Sequence, residues 1–174
     1  SDRNTCIDTP SQEAFQAMRA SGANVDAIAV LVVAADDVAN AQALEAYKAI
    51  KESDIPFCVA LNKIDLPNAD TNKAVTSLIE NEIYVEGFGG DIPINHISAK
   101  TGQGVDELLD TIHLMADLEE LTGDTSLDAS GYVLESNVDP RAGIAATLVI
   151  KDGTLKTGQV VTAPQTQAKP TILV

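Results

Sequence analysis

Hydrophobic residues in the first two thirds of the chain fall into short runs separated by longer amphipathic stretches. The runs are apolar on both faces, which is typical of strands in a parallel sheet covered by helices. The stretches between them repeat apolar residues at helical spacing. We therefore predict strands at Thr5–Ile7, Ala27–Ala34, Pro56–Leu61 and Ile92–Ile97, and helices at Glu13–Ser21, Ala39–Ser53, Thr71–Asn81 and Val105–Leu121. The alternation predicts a doubly wound α/β fold with a mostly parallel sheet.

The pattern changes after Leu121, where a polar connector leads into short apolar runs separated by turn residues. Such runs predict antiparallel β structure, with strands at Tyr132–Val138, Gly143–Ile150 and Gln159–Thr162. The segment of about 45 residues is too short to close a barrel, because a closed barrel must pair its edges. We place a boundary near residue 126, which gives an α/β domain over residues 1–126 and an incomplete β-barrel domain over residues 127–174.

Composition narrows the possible partners. The 174 residues carry a formal net charge of −15, and little direct nucleic-acid binding is expected because phosphate contacts depend on Lys and Arg. Aromatic residues make up only 3% of the chain, so the core must be aliphatic. No apolar run reaches the roughly 20 residues that span a bilayer, and no membrane partner is expected.

Cys6 and Cys58 both lie in apolar runs, with no spacing typical of a zinc site or a disulfide framework. We interpret them as buried free thiols in a reducing compartment. This interpretation favours a cytoplasmic protein, with an organelle matrix as the alternative.

Two polar segments follow neighbouring strands of the predicted sheet. Asn62-Lys63-Ile64-Asp65 closes one apolar run, and Ser98-Ala99-Lys100 closes the next. Ligands of open α/β sheets bind at the carboxyl ends of the strands, so we expect the two segments to meet at one site. Asn-Lys-Ile-Asp alone is equally compatible with a strand that ends in a polar turn capped by Asp65. The second segment and its strand context favour a binding site.

The chemistry of these residues suits a guanine base. The Asp65 carboxylate can accept from the N1–H and N2–H of guanine together, and adenine offers no N1–H. A backbone N–H of the Ser98–Lys100 turn can donate to O6. Asn62 can join the two loops through its amide, and Lys63 can lay its methylene stem along the base while its ammonium stays in a polar environment.

Asp8 follows the first predicted strand, in the segment Asp8-Thr9-Pro10. An aspartate in this position can hold a water of Mg²⁺ next to a phosphate. Taken alone, Asp8 is better explained as a turn-forming residue.

With these residues the chain resembles the translational GTPases, and within them the bacterial-type translation initiation factor two family. The resemblance covers roughly residues 5–162. It is carried by Ile7–Pro10, Ala17–Ala23, Val30–Asp37, Ala60–Asp65, Gly89–Asp91, Ser98–Gly102, Gly104–Leu109 and Gly153–Gly158. The β segment after Leu121 disfavours a signalling or ribosome-assembly GTPase.

The resemblance implies a P-loop GTPase fold that binds GTP or GDP with Mg²⁺. It also implies a factor that places initiator tRNA on the ribosome, promotes subunit joining and is released by GTP hydrolysis. Asp8 would contact Mg²⁺ indirectly, through water, and Gln12 would be the catalytic residue that orients the attacking water. The implied GTP-binding residues are Asp8, Thr9, Pro10, Ser11, Gln12, Asn62, Lys63, Asp65, Ser98, Ala99 and Lys100.

Two of the chain's departures from the family bear on the nucleotide site, and a third, at Val38–Gln42, is expected to affect only the start of a helix. The phosphate loop Gly-x-x-x-x-Gly-Lys-Ser/Thr is absent from these residues, and we expect it upstream of Ser1, so that the domain is N-terminally incomplete. Ser11 and Gln12 also replace the family's Gly and His; Ser11 adds a side chain beside the γ-phosphate, whereas Gln12 retains groups able to orient water. We give neither His96 nor His113 a catalytic role. The alternative function is a degenerate or truncated domain that binds a partner without hydrolysing nucleotide, and this chain alone is expected to be inactive.

Overall fold

The computed structural model describes residues 5–7, 28–37, 41–120, 123–139 and 143–162. The chain divides into two compact units, Ser1–Leu121 and Thr122–Val174. The domain boundary near residue 126 stays a prediction. The elements within the described residues are β1 (Ala29–Ala34), α1 (Ala41–Ser53), β2 (Phe57–Asn62), α2 (Thr71–Glu80), β3 (Ile94–His96), α3 (Val105–Leu118), β4 (Ser130–Asp139) and β5 (Gly143–Asp152).

The described part of the first unit contains a three-stranded parallel sheet in the order β1-β2-β3. Ala29 pairs with Phe57 and Val59 pairs with Ile94, which places the carboxyl ends of all three strands at one edge. The predicted α/β fold with a parallel sheet is thus confirmed. Each strand begins one or two residues later than predicted, and β2 also ends one residue later.

Helices lie on both faces of this sheet. Alternate residues of β1 and β2, such as Leu31 and Leu61, form one core with Ile50 of α1 and Leu78 of α2. Ile94 packs against this core, so its neighbour Asn95 points to the other face of the sheet. There Asn95 Nδ2 donates to Thr111 Oγ1 of α3 at 3.0 Å. The helix α3 therefore covers the opposite face beside β3. Four successive β2 residues, Cys58–Leu61, are fully buried, as expected for a strand covered on both sides.

The second unit contains a two-stranded antiparallel sheet, which we call the β4–β5 ribbon. Register shifts occur between Ser130 and Gly131 and between Val133 and Glu135. At its base, Asp124 Oδ1 accepts hydrogen bonds from Ser126 N at 2.8 Å and Ser126 Oγ at 2.6 Å. These two bonds lower the pKa of Asp124.

Three predictions about the described residues are wrong. Thr5–Ile7 forms no strand, and its residues are exposed. Cys6, in the same segment, is therefore exposed, whereas Cys58 is buried as predicted. Gln159–Thr162 is also not a strand, because Gln159 N bonds to Lys156 O in a local turn and these residues join no ladder within the described structure.

The predicted helix Glu13–Ser21 lies outside the described residues. Among the residues that are described, no helix is long and apolar enough to cross a membrane.

Candidate nucleotide-binding site

The first loop of the candidate site leaves β2 at Asn62. Lys63 adopts a left-handed backbone conformation with φ of 67°, which turns the chain at the end of the strand. Leu66 N then donates to Lys63 O at 3.2 Å, and Ile64 N donates to Ile97 O at 3.3 Å. The second bond ties the first loop to the chain that leaves β3.

The second loop begins at Ser98, which is fully buried. Ser98 N donates to Gln103 O and Gly102 N donates to Ser98 O, both at 2.8 Å, so the loop closes on itself before α3 begins. Gly104 precedes that helix with φ of 74°, and a Cβ there would overlap the carbonyl oxygen of His96. A side chain at this position would displace the loop from the strand, so the turn requires glycine.

Side-chain hydrogen bonds connect the two loops directly. Asn62 Oδ1 accepts from Lys63 N at 2.7 Å and from Ala99 N at 3.0 Å. Ser98 Oγ donates to Asp65 Oδ1 at 2.7 Å and accepts from Thr101 N at 3.2 Å. Each polar side chain therefore fixes the backbone or carboxylate of the opposite loop, and the expected link through Asn62 is present.

The Asp65 carboxylate combines a fixed orientation with an open side. Its Oδ1 is held by Ser98, while no described residue donates a hydrogen bond to its Oδ2. Asp65 is exposed, as are Ala99 and Lys100. A carboxylate with free acceptor capacity can receive two parallel N–H groups from one planar ligand. The Ala99 N–H is engaged by Asn62, so a ligand carbonyl would have to share or replace that bond.

Asp36 is part of this edge, although sequence reasoning missed it. It follows β1 and forms an ion pair with Lys63, with Nζ 3.2 Å from Asp36 Oδ1. The sequence signal for Asp36 was its position just after β1, the strand that neighbours β2. The rule that the carboxyl ends of parallel strands meet would have placed Asp36 beside Lys63.

The remaining predicted site residues lie outside the described part of the chain, namely Asp8, Thr9, Pro10, Ser11 and Gln12. Their roles at the phosphates and the magnesium ion stay predictions. Among the residues that are described, no group of three or more His, Cys, Asp or Glu side chains is arranged to hold a metal ion.

Comparison with known proteins identifies the family to which the chain belongs. Residues 1–117 match the family described as the elongation factor Tu GTP binding domain. Translation initiation factor IF-2 of Rubrobacter xylanophilus is 47% identical over 92% of this chain, and that of Caulobacter sp. (strain K31) is 44% identical over 91% of it. The chain spans only 23% and 15% of the length of these two relatives.

A solved structure supports the same assignment. The crystal structure of GDP-bound aIF5B from Aeropyrum pernix matches with a TM-score of 0.69 and 30% identity. The match covers 88% of this chain and 31% of that one. The chain therefore belongs to the elongation factor Tu GTP-binding domain family, among the translational GTPases, and resembles part of IF-2 over nearly its whole length.

Proposed function

We propose that the two loops bind the guanine base of GTP or GDP within a translation initiation factor. The observation that carries this proposal is the pair of bonds that joins them, from Ala99 N to Asn62 Oδ1 and from Ser98 Oγ to Asp65 Oδ1. These bonds hold the Asp65 carboxylate and the backbone of the Ser98–Lys100 turn at the same sheet edge. Such a fixed arrangement reduces the ordering cost of binding a planar base.

Each residue has a distinct part in this proposal. Asp65 accepts from guanine N1–H and N2–H, and Ser98 fixes the plane of its carboxylate. The second loop supplies a backbone donor to O6 from Ala99 or Lys100, and Asn62 keeps the loops in register. Lys63 packs its methylene stem against the base. Adenine offers no N1–H, so the free Oδ2 of Asp65 would be covered by the base without gaining a hydrogen bond, which penalises the wrong base.

We assign the phosphate side of the nucleotide to Asp8–Gln12, on the strength of the sequence resemblance. A carboxylate oxygen such as that of Asp8 is the kind of donor that Mg²⁺ prefers, directly or through water, and the ion would neutralise phosphate charge when bound. Gln12 would orient the attacking water through its amide. Ser11 adds a side chain where the family has glycine, so we expect slower hydrolysis than in relatives with glycine there.

The role in initiation is inferred from the relatives that carry the IF-2 name. Under this proposal the protein that contains this sequence works on cytoplasmic ribosomes, places initiator tRNA and promotes subunit joining, and GTP hydrolysis releases it. The net charge of −15 argues that this segment makes few direct contacts with RNA. RNA contacts would then come from other parts of the protein.

A second candidate is a guanine-nucleotide-binding module that does not hydrolyse GTP. It is favoured by Ser11, which replaces the family's glycine. The isolated chain also has no Gly-x-x-x-x-Gly-Lys-Ser/Thr segment within its own 174 residues to hold the phosphates. Electrostatic stabilisation of the phosphates usually dominates phosphoryl transfer. We therefore expect no useful GTP hydrolysis by the isolated chain.

One experiment tests base recognition and hydrolysis together. The chain is expressed alone and as a chimaera in which it replaces its matched segment of the Rubrobacter xylanophilus IF-2. Binding of GDP and ADP is measured by competition, and magnesium-dependent GTP turnover is measured alongside. We expect the chimaera to prefer GDP by at least a hundredfold, because Asp65 discriminates against adenine.

The controls separate the two candidates. A chimaera carrying Ser11→Gly and Gln12→His restores the family residues, so faster turnover in it than in the parent chimaera supports a hydrolytic site weakened by Ser11. Turnover that stays at background in both chimaeras, with GDP binding intact, supports the non-hydrolysing module. Equal affinity for GDP and ADP would refute the proposed guanine site.

A further inference from the structure

Asp36 and Lys63 link the ends of two neighbouring strands. We propose that Asp36 is a positioning residue for the guanine site, and that it holds the Lys63 ammonium so that this lysine packs on the base instead of binding phosphate. The inference rests on the guanine-binding function proposed above. It assigns a role to a residue outside the Asn62–Asp65 and Ser98–Lys100 segments.

Lys63 is held at both of its ends. Its backbone N–H donates to Asn62 Oδ1 at 2.7 Å, and its φ of 67° places it in the left-handed region. Its Nζ lies 3.2 Å from Asp36 Oδ1 and 3.4 Å from Asp36 Oδ2. Because β1 and β3 flank β2, the side chain extends toward β1, on the side away from Ser98. Lys63 also lies two residues before Asp65, in the loop that carries this carboxylate.

Asp36 is poorly solvated for a carboxylate. Its side chain is 20% exposed, and its Oδ1 is shielded from solvent and accepts no hydrogen bond from the described residues. The Lys63 side chain is 51% exposed, and in the described structure its ammonium is the cation within ion-pair distance of Asp36. A shielded carboxylate oxygen without hydrogen bonds is costly unless a charge compensates for it. Asp36 therefore favours the arrangement in which Lys63 stays beside it.

This pairing has a consequence for ligand choice. A lysine paired with a carboxylate offers an apolar stem but little net charge, whereas a freed ammonium attracts phosphate through a screened charge interaction. Removing the Asp36 charge should therefore lower the affinity for the base. It should also raise the contribution of the phosphates to the affinity for a nucleotide. Partly exposed ion pairs are weak, so each change should be a few-fold.

The first test uses the 174-residue chain and needs no ligand. Lysines are labelled with a small succinimidyl ester, and the labelling rate of Lys63 is measured by peptide mass spectrometry in the parent, Asp36→Asn and Asp37→Asn chains. We expect Asp36→Asn to raise the Lys63 rate at least threefold, because the ion pair is lost. Asp37→Asn is the matched control that removes the same charge from the next position. An unchanged Lys63 rate in Asp36→Asn, or an equal rise in Asp37→Asn, would overturn the inference.

The second test measures ligand choice in the same chains. Guanosine and GDP are titrated while the backbone amide signals of Ala99 and Lys100 are followed by NMR, at low and high salt. We expect Asp36→Asn to raise the ratio of GDP affinity to guanosine affinity at least threefold, with a steeper salt dependence, and Asp36→Glu to restore the parent ratio. A ratio that stays constant although guanosine binds would overturn the role of Asp36. If adenosine shifts the same signals as strongly as guanosine, the proposed guanine site itself fails.

Discussion

The parallel sheet and the β4–β5 ribbon differ in how their strands are held. In the sheet, Cys58, Val59, Ala60 and Leu61 are fully buried between helices. In the ribbon, Val133 is 49% exposed and Val138 is 80% exposed. An isolated two-stranded sheet is marginal in water, whereas strands covered on both faces retain their packing. The candidate site follows β2 and β3, so its loops begin from the more firmly packed of the two regions.

The difference also appears in the polar groups of the two regions. In the first, Ser98 is fully buried and serves both Asp65 and Thr101. In the second, Ser126 makes a comparable bond to Asp124 at an exposed position. A buried polar group that loses its hydrogen-bond partner is left unsatisfied, which costs free energy. At an exposed position water can replace the lost partner, so the cost is smaller. The same bond should therefore matter more beside β3 than at the base of the ribbon.

Truncating a core residue tests the comparison with the largest expected effect. Leu61→Ala should lower the free energy of unfolding by about 2–5 kcal/mol, because it leaves a cavity in a closed core. Val138→Ala, in the exposed part of the ribbon, should change it by less than about 0.5 kcal/mol. Urea denaturation followed by circular dichroism measures both. Equal losses of unfolding free energy in the two variants would contradict the view that the sheet is more tightly packed than the ribbon.

Removing a hydroxyl tests the polar part of the comparison. Ser98→Ala should lower the free energy of unfolding by about 1–3 kcal/mol, because Thr101 N–H and Asp65 lose a buried partner. Ser126→Ala, at the exposed position, should cost less than about 1 kcal/mol. Amide hydrogen exchange should show faster exchange at Thr101 in Ser98→Ala alone. Unchanged protection of Thr101 would argue against this bond.

The titration of Cys58 gives the smallest expected effect. Burial raises the pKa of this thiol above its ordinary value of 9.0. The fold therefore favours the neutral thiol, so this contribution to stability is present below the unfolded pKa and is lost as pH rises through the folded pKa. The stability advantage of the parent over Cys58→Ala should shrink as the pH rises above about 9, as measured by urea denaturation at each pH. A constant advantage would show that the thiol does not titrate in this range.

Much of the sheet could be predicted from the sequence, because its strands are apolar on both faces and its helices are amphipathic. The same signal failed at Gln159–Thr162 and Thr5–Ile7, since hydrophobicity alone does not provide a strand with a partner. Asp36 was missed for a related reason: its partner Lys63 is adjacent only after β1 and β2 pair. The meeting of the loops around Asn62 and Ser98 was predictable because the carboxyl ends of parallel strands lie at one sheet edge.

Replacing one carboxylate oxygen of Asp65 by an amide nitrogen most directly tests the central claim, which is that Asp65 recognises guanine. Asp65→Asn is introduced into the chimaera, and GDP and xanthosine diphosphate compete for the site. Guanine donates a hydrogen at C2, whereas xanthine presents a carbonyl there that the introduced side-chain amide would satisfy. We predict that the variant loses GDP affinity by about tenfold to a hundredfold, the range of a charge-assisted hydrogen bond, and gains affinity for xanthosine diphosphate. An unchanged preference for GDP would contradict the assignment of Asp65 as the residue that reads guanine.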